Sequence, residues 1–242
     1  MTSSSALLAL LVAGHLLADF GFQTRRMTER KKEAGWLALH GLEVALVQAA
    51  VALPFLSWGA ATLIAGLSVA HMTIDRLKAS AARPSGLGPF LADQAGHLLV
   101  LIVGWTVWTR LPGWPGPLQP AFPLEPWTLC AVIAAAFAFN GTGGAAIVAA
   151  VLDRHRLDEV TDGITEEERS RGRTIGILER FILLTLVILG QWGALGFVIA
   201  AKSIARFKDL DQRDFSERYL IGTLASVLVA IASGLAVRGF WE

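Results

Sequence analysis

Long apolar segments recur along the whole chain and restrict its fold more than any other feature of the sequence. A helix that crosses a bilayer needs about 20 consecutive, mostly apolar residues. About eight segments approach this length: 5–23, 35–57, 59–77, 90–111, 127–152, 174–190, 193–206 and 217–239. The sixth and seventh are short enough to form one bent hairpin that does not cross fully. Only 17% of the residues are charged, against about 25% in soluble proteins. The sequence therefore predicts an all-α, polytopic membrane helix bundle of about eight transmembrane helices.

Basic residues are concentrated in every second connection between these segments. They lie within 25–32, 76–83, 154–173 and 206–218, whereas the connections at 57–58, 111–126 and 191–193 carry none. Because basic loops stay on the cytoplasmic side of a membrane, we expect them inside the cell. Both termini of the bundle are then predicted to lie outside.

Charge and cysteine content exclude several classes of function. The net charge is +1 and no basic patch is interleaved with aromatic residues, so nucleic acid is not an expected partner. Cys130 is the single cysteine. An internal disulfide and a cysteine-based zinc cluster are both excluded.

The chain is predicted to divide into two four-helix halves within one integrated membrane domain. Residues 1–111 hold the histidines and aspartates discussed below, 112–126 form an outer loop rich in Pro and Trp, and 127–242 hold a cationic cluster. In the first half, "GHLLAD" resembles "AHMTID", which suggests a parallel repeat of two helices. The run "NGTGG" at 140–144 indicates a packing notch or a break in the fifth helix.

Ionisable residues lie inside the apolar segments of the first half. Three histidine–aspartate pairs have i, i+4 spacing, which places each pair on one helix face; they are His15 with Asp19, His71 with Asp75, and Asp93 with His97, and His40 stands alone in the second segment. The first and third segments run toward the cytoplasm and carry these residues near their C-terminal ends. The second and fourth segments run toward the outside and carry them near their N-terminal ends. All seven side chains are therefore expected at one depth, in the cytoplasmic half of the bilayer.

Imidazole and carboxylate are the ligands of zinc, manganese and iron sites. The seven residues are enough for one ion with supporting partners, or for two ions bridged by a carboxylate. The repeat favours two half-sites: His15, Asp19 and His40 in the first, and His71, Asp75, Asp93 and His97 in the second. We expect one or two divalent ions, zinc first and manganese or iron as alternatives. A proton or ion relay and a purely structural hydrogen-bond network remain open.

A second polar group is predicted on the cytoplasmic side of the second half. It comprises Glu179, Arg180, Lys202 and Arg206. The three cations could bind a phosphate or a lipid headgroup, since guanidinium makes bidentate contacts with phosphate. The alternative is that the cations extend to the membrane surface and that a pair such as Glu179–Lys202 joins two helices.

Several of these motifs together resemble a known family. "HLLADFGFQT", "AHMTIDRLK", "FLADQAGHLL", "GRTIGILERFILL", "AAKSIARFKDL" and "ERYLIGTLAS" resemble the bacterial inner-membrane family catalogued as domain of unknown function 3307. The resemblance implies a multi-pass protein of the bacterial inner (plasma) membrane and no assigned activity. "GHLLAD", "LALHG" and "AHMTID" are also similar to membrane-bound metal-dependent hydrolases, which implies that His15, Asp19, His40, His71 and Asp75 are metal ligands.

The function predicted from these features is a metal-dependent membrane hydrolase with its site open to the cytoplasmic leaflet. A lipid or lipid-linked phosphate is the expected substrate, and membrane lipid is the other expected partner. The metal would activate a water molecule, Asp93 or Asp75 would act as general base with Glu179 in reserve, and Arg180, Lys202 and Arg206 would stabilise the phosphoryl charge. The alternatives are a proton- or metal-ion-coupled transporter and a membrane scaffold or assembly protein.

Overall fold

The computed structural model of the chain describes residues 2–80, 86–110, 120–154, 166–207 and 213–240, and these residues contain α-helices and no β-strand. The helices are α1 Ser3–Leu17, α2 Arg25–Glu29, α3 Ala34–Val51, α4 Trp58–Ser80, α5 Leu87–Arg110, α6 Leu124–Ala138, α7 Gly144–Arg154, α8 Glu166–Ile188, α9 Trp192–Ala205 and α10 Arg213–Arg238. Two π-helical turns, Ala18–Phe22 and Phe139–Gly143, follow α1 and α6 directly. The predicted outer loop 112–126 and the basic connections lie partly outside the described residues.

Each of the eight predicted apolar segments coincides with helix in the structure. Within the described ranges, five helical segments are long and apolar enough to cross a membrane: Ser3–Phe22, Ala34–Val51, Leu87–Arg110, Leu124–Asp153 and Phe215–Arg238. Helices α4, α8 and α9 are not among these five. The sequence of α4 contains the polar residues His71 and Asp75, α8 begins with charged residues, and α9 has only 14 residues. The predicted all-helical membrane bundle is confirmed, and eight crossings stay a prediction.

The helices of the first half bury polar side chains and expose apolar ones. Helix α3 buries His40 and Gln48 and exposes Leu42 and Leu46, which are 56% and 62% accessible. This is the reverse of a soluble helix, whose apolar stripe faces the core. Such an arrangement suits a hydrocarbon environment, where lipid solvates the leucines and the protein interior satisfies the polar groups.

The chain separates into two compact units, Met1–Ala135 and Ala136–Glu242. In the first unit, α1, α3, α4 and α5 form a four-helix arrangement in which α1 packs on α3 and α5, and α4 packs on the same two helices. Buried leucines such as Leu7, Leu10, Leu11 and Leu63 form its core. The core fills one end of the bundle and leaves the other end to the polar side chains.

In the second unit, α10 packs along α7 and α8, and α8 also packs on α9. A turn at Gly190, whose φ of 69° is in the left-handed region, joins α8 to α9. The break expected near "NGTGG" is the π-helical turn Phe139–Gly143.

Candidate metal centre

The polar residues of the first unit come from the same end of four helices. His15 lies in the last turn of α1, and the π-helical turn that follows carries Asp19. His40 lies in the first half of α3, His71 in the second half of α4, and His97 in the first half of α5. Because successive helices run in opposite directions, these positions meet at one level. The four histidine rings are 0–5% exposed.

Three ligand-type atoms form a compact triangle at the middle of this cluster. Asp19 Oδ1 lies 3.4 Å from His40 Nε2 and 3.2 Å from His71 Nε2, and the two nitrogens are 3.2 Å apart. Two atoms bound to one tetrahedral zinc ion at about 2.0 Å are about 3.3 Å from each other. The triangle therefore has the dimensions of one face of a tetrahedral metal site. We call Asp19, His40 and His71 the primary triangle.

Asp75 lies against the edge that joins the two histidines of this triangle. Its Oδ2 is 3.4 Å from His40 Nε2 and 3.5 Å from His71 Nε2. Neither Asp75 Oδ2 nor Asp19 Oδ1 has a hydrogen-bond partner among the described residues, although both are buried. Buried carboxylate oxygens are costly without a partner. A cation between these atoms would provide one.

Countercharges are distributed unevenly over the three aspartates. Lys31 Nζ donates to Asp75 Oδ1 at 2.7 Å, and Lys78 Nζ donates to Asp93 Oδ2 at 2.7 Å. Among the described residues, Asp19 contacts three histidines and no lysine or arginine. Among the described residues, the histidines are therefore the groups that can compensate the charge of Asp19, which belongs to the primary triangle.

Gln23 is a hydrogen-bond partner of His40. Its side-chain amide donates to His40 Nε2 at 2.7 Å, so an ion bound by this nitrogen would take the place of Gln23. His40 Nδ1 faces Glu43 Oε2 at 3.4 Å. A carboxylate behind a ligating imidazole is the usual outer partner in metal sites, because it orients the ring and raises its basicity.

The four imidazoles form a continuous group. His71 contacts each of the other three, with ring centroids 5.2 Å from His40, 5.5 Å from His15 and 4.2 Å from His97. His15 and His97 stack at 5.0 Å. Beside them lies a small cavity lined by His15, His71, His97 and Gln48 together with aliphatic side chains.

The structure brings together the residues that the sequence placed in one site, but it groups them differently. The primary triangle and Asp75 combine Asp19 and His40 from the predicted first half-site with His71 and Asp75 from the second. Asp93 is one step removed, since its backbone carbonyl and Oδ1 lie 2.9 and 3.7 Å from His97 Nδ1. It therefore supports His97 from behind.

Some contacts of the site were not predicted. Lys31 is one of several lysines and arginines in a basic segment, and nothing in the sequence distinguishes it from its neighbours. Gln94 and Gln48 stand out only as amides in apolar helices. Gln94 contacts His15 and Asp93, while Gln48 Nε2 donates to the carbonyl of Leu11 at 2.9 Å.

In the second unit, the predicted phosphate-binding residues have protein partners. Arg180, which is 2% exposed, donates from Nε to Asn140 O at 2.6 Å, from Nη2 to Gly141 O at 3.2 Å and from Nη1 to Ser226 Oγ at 3.3 Å. It thereby satisfies the carbonyls of the second π-helical turn. Lys202 forms an ion pair with Glu179 and lies over the ring of Tyr219, and Arg206 is exposed at the end of α9. The Glu179–Lys202 pair is the alternative considered from the sequence.

Comparison with known proteins finds a family model that matches part of the chain. Residues 7–116 match the model of a family described as protein of unknown function (DUF3307). No curated protein and no solved structure matches the chain. The matched region contains the primary triangle, Asp75, Asp93, His15 and His97. It confirms the resemblance for the three motifs of the first half, and the three motifs of the second half lie outside the match.

Proposed function

We propose that this chain, whose residues 7–116 match the model of a family of unknown function, is an integral membrane metalloprotein that acts as a metal-dependent hydrolase. The observation that carries the proposal is the primary triangle, with its three ligand-type atoms 3.2–3.4 Å apart. Three protein ligands and a fourth position open to water or substrate are typical of catalytic zinc sites. The proposed ion is zinc, with manganese or iron as alternatives, because the ligands are nitrogen and oxygen.

The residues around the triangle support hydrolysis. A divalent metal supplies an activated water when bound, and the cavity lined by His15, His71 and His97 has room for about one water molecule. Asp75 Oδ2 lies against the edge between His40 and His71. It would either bind the ion as a fourth ligand or leave that position to water and accept the proton of the water. The carboxylate of Asp93 would stay free of the ion, because it accepts from Lys78, while the backbone carbonyl of Asp93 orients His97.

The substrate that we propose is a lipid or lipid-linked phosphate. The site lies at the end of a bundle whose outer surface is apolar, so a lipid tail could remain in the membrane while its head approaches the centre. The segment that carries Lys31 packs on this same end, where Lys31 contacts Asp75 and Arg76 contacts the backbone of Lys32. By the distribution of basic residues, this end faces the cytoplasm of a bacterial inner membrane.

Metal content tests the first part of the proposal. Full-length protein purified in detergent without added chelator is measured by elemental analysis, next to His71→Gln and the control His155→Gln, which changes the histidine that lies outside the described residues. Wild type and the control should hold zinc, and His71→Gln should hold less. A wild-type protein that contains no transition metal and has the same melting temperature in chelator would contradict the proposal.

Hydrolysis tests the second part. Phosphatidic acid and a polyprenyl diphosphate in mixed micelles are incubated with wild-type protein, with Asp75→Asn and with protein stripped of metal. We expect phosphate release by wild type only, restored to the stripped protein by Zn²⁺. If metal-loaded protein releases no phosphate from either lipid, this substrate class is rejected. The proposal of a metal site is not affected by that result.

A metal-ion- or proton-coupled transporter is the second candidate, favoured by the continuous group of four imidazoles. Transport requires passage to both faces of the membrane. In proteoliposomes, zinc uptake measured with an internal fluorescent indicator, and lost in His71→Gln, would favour transport over hydrolysis.

A further inference from the structure

The amide of Gln94 decides which nitrogen of His15 carries the proton. Gln94 Nε2 donates to Asp93 Oδ2 at 3.2 Å, so the Oε1 of the same amide faces His15 Nε2, also at 3.2 Å. An amide oxygen can only accept, so His15 Nε2 is the donor and Nδ1 of the neutral ring has the lone pair. This Nδ1 is buried without a hydrogen-bond partner among the described residues, and it faces Asp19 Oδ2 at 3.9 Å.

His97 is oriented in the same manner. Its Nδ1 lies 2.9 Å from the backbone carbonyl of Asp93, which can only accept, so Nδ1 is the donor and Nε2 has the lone pair. His97 Nε2 is also buried without a partner among the described residues. The ring is 2% exposed and stacks on His15 at an interplanar angle of 18°.

His15 Nδ1 and His97 Nε2 are thus two buried lone pairs without a donor among the described residues, and Asp19 Oδ2 lies beside the first of them. One ligand atom from each of His15, Asp19 and His97 lies within 4.8 Å of the other two. Three acceptors that face each other repel unless a cation lies among them. Each ring is also held from behind by an oxygen acceptor, the arrangement that fixes a histidine as a metal ligand.

We propose that His15 Nδ1, His97 Nε2 and Asp19 Oδ2 bind a second divalent transition-metal ion, so that the centre holds two ions bridged by the Asp19 carboxylate. Asp19 Oδ1 belongs to the primary triangle and Oδ2 faces His15, so the two oxygens of this side chain point at different ligand groups. The second site has three protein ligands, and the adjoining cavity gives it a position for water. The inference rests on the proposed function, because it takes the first ion as bound at the primary triangle.

The number of zinc ions per chain tests the second site. Full-length protein in detergent is loaded with Zn²⁺, desalted and measured by elemental analysis. We expect two ions per chain in wild type and in the control His155→Gln, one in His15→Gln and in His97→Gln, one in His40→Gln, and none in Asp19→Asn. Size-exclusion profiles and melting temperatures show whether each variant is folded.

The outcomes separate the two proposals. One ion per chain in wild type, unchanged in His15→Gln and His97→Gln, would overturn the second site and leave the proposed function intact. No ion in wild type would overturn the proposed function itself.

Wild-type protein loaded with Mn²⁺ gives a test that needs no variant. Two ions that share a carboxylate couple magnetically, so we expect the electron paramagnetic resonance spectrum of an exchange-coupled pair. The spectrum of isolated Mn²⁺ at two ions per chain would overturn the bridging role of Asp19.

Discussion

At the scale of single residues, the centre depends on how each aspartate is compensated. Asp75 has Lys31, Asp93 has Lys78, and Asp19 has only histidines among the described residues. Side chains of Lys31 and Asp75 are 11% and 1% exposed, so their ion pair is almost fully desolvated. Removing one partner of such a pair leaves an uncompensated buried charge.

Lys31→Met should therefore destabilise the metal-free protein. Breaking a buried ion pair costs about 3–5 kcal/mol, and a bound cation would partly replace the lost countercharge of Asp75. We expect a lower melting temperature without metal and a larger increase on adding Zn²⁺ than in wild type, measured by thermal unfolding in detergent. The exposed neighbour Lys32→Met is the matched control, and equal melting temperatures for the two variants would contradict the role given to Lys31.

Asp75→Asn tests whether the carboxylate next to the triangle is a ligand. The amide keeps the size of the side chain but loses the negative charge that attracts a cation. We expect weaker zinc binding, seen as a higher dissociation constant in competition with a chelating dye. Asp93→Asn should have a smaller effect, because the Asp93 carboxylate is paired with Lys78 and His97 is held by the backbone carbonyl of Asp93, which the substitution keeps. The reverse order would show that Asp93 is the closer ligand.

At the scale of helices, glycines allow the close approach that brings the ligands together. A Cβ on Gly14 of α1 would lie 2.6 Å from Gln48 Oε1, 2.9 Å from Gln48 Cδ and 3.4 Å from its Cα, on α3. A Cβ on Gly41 of α3 would lie 2.1 Å from Met72 Sδ on α4. Small residues at helix crossings are characteristic of membrane bundles, where close van der Waals packing drives association.

Gly14→Ala should move α1 away from α3 and with it His15 and Asp19 away from His40. Overpacking of this kind costs about 1–3 kcal/mol, and we expect both a lower melting temperature and weaker zinc binding. Gly66→Ala in α4 is the control, since a Cβ there has no atom within 4 Å. Zinc affinity that is unchanged in Gly14→Ala would show that the centre tolerates this shift.

In the second unit, the side chain of Arg180 donates hydrogen bonds to backbone carbonyls of the second π-helical turn. Arg180 donates to the carbonyls of Asn140 and Gly141 in the π-helical turn, and the Gly141 carbonyl also accepts from the backbone N–H of Gly144. Arg180→Leu should lower stability by at least the value of one charge-assisted hydrogen bond, about 1.5–3 kcal/mol. Thermal unfolding would show this loss, whereas the exposed Arg173→Leu should melt like wild type. A melting temperature that is unchanged in Arg180→Leu would argue that other donors satisfy the turn.

At the scale of the whole molecule, the orientation proposed for the chain in the membrane rests on the distribution of basic segments. Single cysteines at Glu29 and at Trp58, introduced into Cys130→Ala, should differ in reaction with a membrane-impermeant maleimide applied to intact cells. Trp58 is 92% exposed at the start of α4, next to a connection without basic residues. We expect labelling at position 58 and none at position 29, because the basic segment stays inside. The opposite pattern would place the metal centre at the outer leaflet.

Much of the fold could be predicted because its signals are local. Apolar length determines where helices can cross a membrane, and each predicted segment coincides with a helix. Helix direction alternates along the chain, so His15, His40, His71 and His97 could be placed at one depth without coordinates. The i, i+4 spacing of His71 and Asp75 put both on one face of α4, and in the structure both side chains are buried at the centre.

The sequence by itself determined that this is a helical membrane protein with histidines and aspartates at one level of its first half. Only the tertiary structure decided how they combine, because rotation of each helix about its axis leaves its hydropathy unchanged and alters which side chains meet. In the tertiary structure, Asp19 contacts both His40 and His71. Lys31 pairs with Asp75, and Arg180 donates to carbonyls of a π-helical turn. Such contacts depend on distances of a few ångströms between segments far apart in the chain, and no local pattern of residues encodes them.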